Sequence, residues 1–325
     1  MTPLELGSST GAMMNNVGKV KNTGVEISLS TVNVQTKNFY WSTTFSFAKN
    51  KNEILELNGG KEDLIANKWF IGQPIDVIYD YEYAGVCTAE EAKAYATNDA
   101  IKTKFIEGEM KLKDQQQPGE EGYGVIDEND LVVLGHALPK WTGSVTSNMT
   151  YKNFDFSFSI YTKQGGMVES PFMAEFTNYK DRGRNKLKMD YYIPAGTPVL
   201  NADGSGYTLT TEAHMGAYPY PTNTANNNYG GGIGWGTDKQ TTYVGNSYVN
   251  NSFVKIKNIT LGYTFPKSWM SKIGVDHLRL YVNVLNPFTF TSYKGLDPEW
   301  AEAALNDGTG GPSSRTYQVG VNLKF

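Results

Sequence analysis

The chain has 325 residues, of which 39% are hydrophobic, and its 29 Lys and Arg against 33 Asp and Glu give a net charge of −4. Because nucleic-acid binding needs a basic surface that displaces counterions from phosphate, we predict no nucleic-acid partner for this mildly acidic chain. The longest aliphatic run, residues 131–134, is far too short for a membrane-spanning helix, whereas spanning β-strands of about 10 residues are compatible with a polar composition.

Alternating apolar and polar residues predict antiparallel β-strands along the chain. The clearest case places Phe154, Phe156 and Phe158 on one face, opposite Asp155 and Ser157. Between residues 252 and 264 the apolar positions switch from even to odd numbers, which predicts a β-bulge. In chain order, the predicted strands lie near residues 25–29, 39–47, 63–71, 75–84, 141–151, 154–163, 252–264, 278–290 and 316–325.

The predicted connections are of two kinds. Residues 36–39 and 151–154 share a Lys-Asn pair before an aromatic strand, which suits tight hairpins because Asn tolerates positive φ. Residues 86–140, 165–251 and 291–314 form long loops, which compact soluble domains seldom carry without a function. If both short turns lie at the end of the sheet where the chain terminates, strand direction predicts two further strands between the hairpins, at 63–71 and 75–84. Short turns at one end and long loops at the other are typical of outer-membrane barrels.

Several sequence blocks resemble the C-terminal part of SusC/RagA-type transporters, which are TonB-dependent outer-membrane proteins of Bacteroidetes. The blocks are residues 18–26, 71–75, 253–266, 280–286, 295–299 and 315–325, and the likeness runs from about residue 15 to the C-terminus. The run Lys-Asn-Ile-Thr-Leu-Gly-Tyr at 257–263 is its most specific feature. The resemblance implies an all-β fold in which the chain supplies about nine antiparallel strands of a 22-stranded transmembrane β-barrel with long extracellular loops.

The resemblance also implies a division of labour within a larger transporter. Residues 1–325 would form one C-terminal part of the barrel, and the plug, the TonB contact, the signal peptide and the other strands would belong to an N-terminal part. Because an open sheet in lipid leaves unsatisfied backbone groups, we expect the first and last strands to pair with that N-terminal part.

The implied function is TonB-driven nutrient uptake, of an oligosaccharide or a peptide, across the bacterial outer membrane. A SusD-like surface lipoprotein would act as a lid, in dimers of transporter–lipoprotein pairs surrounded by outer-membrane lipid. Such transport involves no chemistry on the substrate, so we predict that the chain is not an enzyme. The three histidines are far apart in sequence and no nucleophile motif accompanies them.

Aromatic residues within the second long loop are the best candidates for contact with a ligand or with the lid. Aromatic faces beside amide donors suit sugar rings or peptides, and neighbouring glycines let a loop adapt its shape. Packing of the loop on itself is the alternative interpretation. The candidates are Tyr218, Tyr220, Tyr229, Trp235 and Tyr243.

The acidic segment around Asp127 and Asp130 lies where relatives often have a sequence that resembles an Asp-x-Asn-x-Asp-Gly calcium loop. In such a loop, oxygen ligands at alternating positions surround Ca²⁺. Residues 115–119 replace the first half of that loop here. The alternative is a solvated acidic hairpin without a metal. No other cofactor is predicted.

The last strand, with Tyr317, Leu323 and the terminal Phe325, resembles the signal read by the barrel-assembly machinery. A competing interpretation of the whole chain is a soluble β-sandwich, either a carbohydrate-binding module or a glycan hydrolase. That interpretation accounts for the strands and aromatic residues, but not for short turns confined to one end.

Overall fold

A computed structural model describes residues 18–57, 60–98, 105, 107–108, 110–170, 188–219, 248–301 and 311–325. Its strands, in chain order, are β1 (Gly18–Gln35), β2 (Phe39–Leu57), β3 (Val77–Tyr81), β4 (Tyr83–Val86), β5 (Met110–Leu112), β6 (Leu131–His136), β7 (Trp141–Tyr151), β8 (Phe154–Gln164), β9 (Met167–Glu169), β10 (Pro198–Leu200), β11 (Tyr207–Leu209), β12 (Tyr248–Asn250), β13 (Phe253–Thr264), β14 (His277–Thr291) and β15 (Thr316–Lys324). The helices are α1 (Ala89–Thr97) and α2 (Lys267–Met270), with 3₁₀ turns at Ile65–Asn67, Glu128–Asp130, Ser271–Ile273 and Pro298–Trp300. Within these ranges no helix has the length and apolar character needed to cross a membrane.

Seven strands form one antiparallel sheet in the order β1-β2-β7-β8-β13-β14-β15. Each strand pairs with the next one of this series, so the chain runs up and down without crossing over. The antiparallel, all-β architecture predicted from the alternation is therefore confirmed. The short connections 36–38, 152–153 and 265–276 lie at the end where β15 terminates, and the long connections lie at the opposite end.

The sheet has one apolar face, because the register aligns apolar residues of neighbouring strands. Ile27 lies opposite Phe47, and Leu261 lies opposite Val282. Val282 in turn lies opposite Val319, whose side chain is 81% exposed. An apolar band thus crosses all seven strands, and no described element of the chain covers it.

The opposite face is polar and is connected by side-chain hydrogen bonds between strands. Thr260 donates to the Asn283 side chain, and Asn283 donates to Gln318, both at 2.9 Å. The hydroxyl groups of Ser30 and Thr44 lie 3.1 Å apart. One face of this sheet therefore suits apolar surroundings, and the other face suits polar surroundings.

The predicted bulge in β13 is confirmed. The register of β13 with both of its neighbours shifts between Ile256 and Asn258. Lys257 is the extra residue, so Ile256 and Ile259 share the apolar face although they are three positions apart. The bulge lies where the main sheet meets the long connections.

The two Lys-Asn turns are short hairpins, as predicted. At the second turn, however, the residue with positive φ is Lys152 (51°) and not the asparagine. Asn153 instead bonds to the next strand, because its Nδ2 donates to the carbonyl of Thr264 at 2.8 Å and its carbonyl accepts from the Thr264 amide at 2.9 Å. The asparagine therefore ties this turn to β13.

The main sheet has seven strands, and the two strands predicted at 63–71 and 75–84 are not part of it. β2 pairs directly with β7, from Phe39 opposite Tyr151 to Ala48 opposite Thr142. The two short turns lie at the same end of the sheet whenever an even number of sheet strands separates β2 from β7. In this sheet that number is zero, because β2 and β7 are direct neighbours. Residues 64–69 form a tight loop closed by backbone hydrogen bonds between Leu64 and Trp69, and β3 pairs with β6 outside the main sheet.

Two clusters of buried apolar residues lie within the long connections. One cluster consists of Cys87, Phe105, Met110 and Leu112, against which α1 packs through Ala92 and Tyr95. A second cluster joins Val168, Tyr293 and Ala301. The described parts of the long connections are therefore packed structures at one end of the sheet.

Candidate functional site

Tyrosine hydroxyls join the first long connection to the second. Tyr83 donates to the carbonyl of Ala217 at 2.8 Å. Tyr192 donates to Glu107, and Tyr248 donates to Asp80. These six residues come from segments far apart in sequence, so their contacts join the two connections into a single layer. We call this layer the loop layer; it consists of the described residues of 60–140 and of 165–252.

The bond between Tyr248 and Asp80 lies in a buried environment. Asp80 is 7% exposed, and its second oxygen accepts from the backbone amide of Tyr81 at 2.8 Å. Burial raises the pKa of Tyr248, and the Asp80 carboxylate raises it further. Burial also raises the pKa of the neighbouring Glu169, again with a contribution from Asp80. The tyrosine consequently stays protonated and acts as the donor.

Tyr218, a predicted ligand or lid contact, lies in a tyrosine cluster of the loop layer. Its ring meets the ring of Tyr191 edge to face, with centroids 6.1 Å apart. Burial, with a contribution from Tyr218, raises the pKa of Tyr83 and of Tyr191 to about 12. The cluster offers neutral, half-buried aromatic surface.

The other four predicted aromatic contacts, Tyr220, Tyr229, Trp235 and Tyr243, lie outside the described residues. The ligand or lid role of all five thus stays a prediction. The sequence pattern did not identify Tyr83 and Tyr191, because both precede Tyr218 by many residues and neither lies in a motif.

The carboxylates of the acidic turn bind backbone amides. Asp130, which is fully buried, accepts from Gln115 at 2.7 Å and from Asp127 at 2.8 Å. Asp127 accepts from the amide of Asn129 at 2.8 Å and so caps a 3₁₀ turn. In the described ranges, no group of three or more His, Cys, Asp or Glu side chains is arranged to hold a metal ion.

The Gln116 side chain lies between two of these carboxylates. With its amide nitrogen turned towards them, it donates to Oδ1 of Asp114 and to Oδ1 of Asp130, at 3.0 Å each. The two oxygens of Asp114 also accept from the amides of Gln116 and Gly124, at 2.9 Å and 2.7 Å. N–H donors thus bind the carboxylate oxygens that a Ca²⁺ ion would use as ligands.

A buried lysine holds the last long connection on the polar face of the sheet. Lys255, 1% exposed, donates to Asp297 at 3.1 Å and to Ser313 at 3.0 Å, and it also pairs with Glu299. Lys257 pairs with Glu299 at 2.6 Å. We call the described parts of this connection, residues 292–301 and 311–315, the strap.

Hydrogen bonds keep the two strap carboxyls ionised. Burial by itself raises the pKa of Asp297, but bonds from the backbone amides of Ser313 and Glu299 and from Lys255 outweigh it, so the pKa lies below its ordinary value. For Glu299, burial is likewise outweighed by the bonds from Lys255 and Lys257, and the pKa is lowered. The strap is thus fixed over the polar face by charged pairs, of which the pair of Lys255 with Asp297 is shielded from water.

Comparison with known proteins gives a consistent result. No protein-family model matches the chain. TonB-dependent receptor P3 of Formosa agariphila is 29% identical over 99% of this chain and 30% of its own length, and TonB-dependent receptor SusC of Bacteroides thetaiotaomicron is 27% identical over 99% and 28%. The solved structure of the RagAB peptide transporter matches with a TM-score of 0.63 and 21% identity, over 99% of this chain and 31% of that one.

The chain is SusC/RagA-like. It spans about 30% of the length of the curated relatives that it matches. The predicted fold class, a C-terminal part of a barrel of this type, is confirmed by the match to RagAB. The relatives are named TonB-dependent receptors, in agreement with the prediction that the chain catalyses no reaction.

In this SusC/RagA-like sheet, β15 carries the predicted assembly signal on the apolar face. Tyr317 lies opposite Val284, and Leu323 lies opposite Leu278. Phe325, just beyond the strand, is 83% exposed. Tyr317 lies at the start of β15 and Leu323 near its end, so the apolar face extends along the whole edge strand. The role of the three side chains in assembly stays a prediction.

Proposed function

We propose that this chain forms part of the wall and the extracellular loops of a TonB-dependent transporter that imports a nutrient, an oligosaccharide or a peptide, through the bacterial outer membrane. The observation that carries the proposal is the seven-stranded sheet with an uncovered apolar face and a hydrogen-bonded polar face. The apolar face would contact lipid, and the polar face would line the lumen.

The dimensions of the sheet support this assignment. β15 has 9 residues, close to the ~9–11 that a tilted strand needs to cross a bilayer. The loop layer stands at the end opposite to the short turns, which is the extracellular end in barrels of this kind.

The strands β1 and β15 occupy the two edges of the sheet. In lipid, edge groups without partners are costly, so a barrel must close. We propose that both edges pair with strands of the N-terminal part of the same transporter, which would also carry the plug and the contact with TonB.

A surface lipoprotein is the partner that we propose for the loop layer. The neighbouring solved structures are those of a RagAB peptide importer in open-open and closed-closed states. By analogy, a SusD-like lid would close on the tyrosine cluster around Tyr218, and transporter–lipoprotein pairs would associate as dimers.

Uptake by cells tests the function. A strain that lacks the intact protein is compared with the parent strain, and with the parent strain depleted of TonB, for accumulation of labelled peptides and labelled oligosaccharides. We expect one class of polymer to accumulate only in the parent strain. Equal accumulation of both classes in all three strains contradicts the proposal.

A further inference from the structure

A cavity of about 230 Å³ opens in the loop layer between α1, β5 and residues 123–126. Its inner wall belongs to the first core cluster, since Phe105 and Leu112 are each 4% exposed. The Tyr95 ring meets the Phe105 ring edge to face, with centroids 5.5 Å apart. An apolar cavity of roughly 150 Å³ can hold a benzene molecule, so this one accommodates a single side chain.

Local sequence fixes the helix that forms one wall. Thr88 and Glu91 cap the start of α1 reciprocally, with the Glu91 amide donating to Thr88 at 3.1 Å and the Thr88 amide donating to Glu91 at 2.9 Å. The second oxygen of Glu91 pairs with Lys111 of β5 at 2.5 Å. The helix and the strand are therefore held at a set distance across the cavity.

The charged groups of the lining already have partners within the loop layer. Besides the pair of Lys111 with Glu91, Lys113 pairs with Glu82 at 2.9 Å. Both oxygens of Asp114 accept backbone amides. An anionic ligand would find both lysines of the lining already paired with carboxylates. A sugar ring would lose hydration of its hydroxyls against the apolar part of the lining without full compensation. The remaining described lining includes Ala84, Tyr95, Phe105, Leu112 and Ile126.

We infer that this cavity binds one aromatic or branched apolar side chain of a peptide, whose main chain stays outside against the loop layer. The inference rests on the proposed import function for its biological use, and it selects peptide over oligosaccharide as the substrate class. The binding itself can be measured without transport.

The test uses calorimetric titration of the intact protein in detergent with Ala-Phe-Ala, Ala-Ala-Ala and maltotriose. Ile126→Trp fills the cavity from one wall, and Ala84→Phe fills it from an exposed position on β4. Ile65→Trp, at a residue that is 60% exposed and outside the cavity, is the matched control. Melting temperatures verify folding, and Ala84→Phe keeps the test decisive if Ile126→Trp folds poorly.

We expect Ala-Phe-Ala to bind roughly tenfold or more tightly than Ala-Ala-Ala, as burial of one aromatic side chain implies. This preference should disappear in the two filling variants and persist in Ile65→Trp. A preference retained in a folded filling variant, or maltotriose binding that Ala-Phe-Ala does not displace, overturns the inference. If the inference fails while cells still depend on the protein for uptake, the proposed function stands. If the peptide binds but uptake is independent of the protein, the proposed function fails alone.

Discussion

The side chains of Arg279 in β14 and Asp155 in β8 form a salt bridge across Gly262 of β13, which has no side chain to separate them. Nε of Arg279 lies 2.9 Å from Oδ1 of Asp155, and Nη2 lies 2.5 Å from Oδ2. A Cβ at position 262 would lie 2.6 Å from Nη2 of Arg279. The bidentate pair therefore requires glycine there, and it ties β8 to β14 across β13 on the polar face.

Replacing this glycine should break the pair. We expect Gly262→Ala to lower the free energy of unfolding by ~1–3 kcal/mol, because both charged groups lose their partner while they remain partly buried. Thermal unfolding of the intact protein in detergent measures the change. Gly311→Ala is the control, since a Cβ at 311 meets no atom within 4 Å. Equal melting temperatures for the two variants would refute the requirement.

The strap should depend on Lys255 in the same way. Lys255→Met leaves the Asp297 and Glu299 carboxylates without their buried cation, which typically costs ~3–5 kcal/mol. We expect the strap of this variant to become sensitive to protease at concentrations that spare the wild type. Lys51→Met removes a pair with Glu53 in which the lysine is 66% exposed, and its expected cost is only ~0–1 kcal/mol. Equal protection in both variants contradicts a structural role of Lys255.

Acid should release the strap. The folded-state pKa values of Asp297 and Glu299 lie below the ordinary ones, so their stabilisation is complete above about pH 5 and declines as the pH falls through the lowered values. Protease protection of the strap, measured by brief acid exposure with an acid-active protease, should therefore decrease below about pH 4. Protection that rises on acidification would reverse the expected sign.

Calcium should have little effect on the acidic turn, because Gln116 and backbone amides already occupy Asp114 and Asp130. We expect the same melting temperature with excess Ca²⁺ and with a chelator. Gln116→Asp places a third carboxylate there, so this variant should be less stable in chelator and should regain stability with Ca²⁺. A wild-type melting temperature that falls in chelator would instead support the calcium loop.

The bridge within the loop layer can be tested at Tyr248. Tyr248→Phe removes the hydroxyl that donates to the buried Asp80, and we expect a loss of ~1.5–3 kcal/mol, the usual range for a hydrogen bond to a charged group. Differential scanning calorimetry measures the loss. Tyr207→Phe, at a residue that is 72% exposed, should change stability by a few tenths of a kcal/mol at most. Indistinguishable variants would show that the bridge contributes nothing.

The strands were predictable where one face is apolar, because period-two alternation encodes the exposure of each face. The bulge at Lys257 was predictable for the same reason, since one inserted residue exchanges the faces. The prediction that strands at 63–71 and 75–84 belong to the main sheet was wrong, because it rests on strand parity, which cannot distinguish zero intervening strands from two. Part of the second segment does form a strand, β3, but it pairs with β6. Direct pairing of β2 with β7 is a long-range contact that no local pattern reveals.

The candidate site was less predictable than the sheet. Tyr218 was identified from composition, but its neighbours Tyr83 and Tyr191 come together only through the packing of distant segments. One sequence feature is related to the strap: the run Asp297-Pro298-Glu299 occurs together with two lysines in β13. The sequence places those residues only in blocks of family resemblance, and their pairing follows from the fold and not from their spacing.

Cysteine labelling of adjacent residues in β15 tests most directly whether this sheet is a membrane wall. In a Cys87→Ser background, Val321→Cys places the thiol on the apolar face and Asn322→Cys places it on the polar face. In intact outer membranes we expect a water-soluble maleimide to label position 322 and to leave position 321 unlabelled, because maleimide reacts with the thiolate and a thiol that faces lipid stays protonated. Identical labelling of both positions, or recovery of the folded protein in the soluble fraction without detergent, would contradict the account.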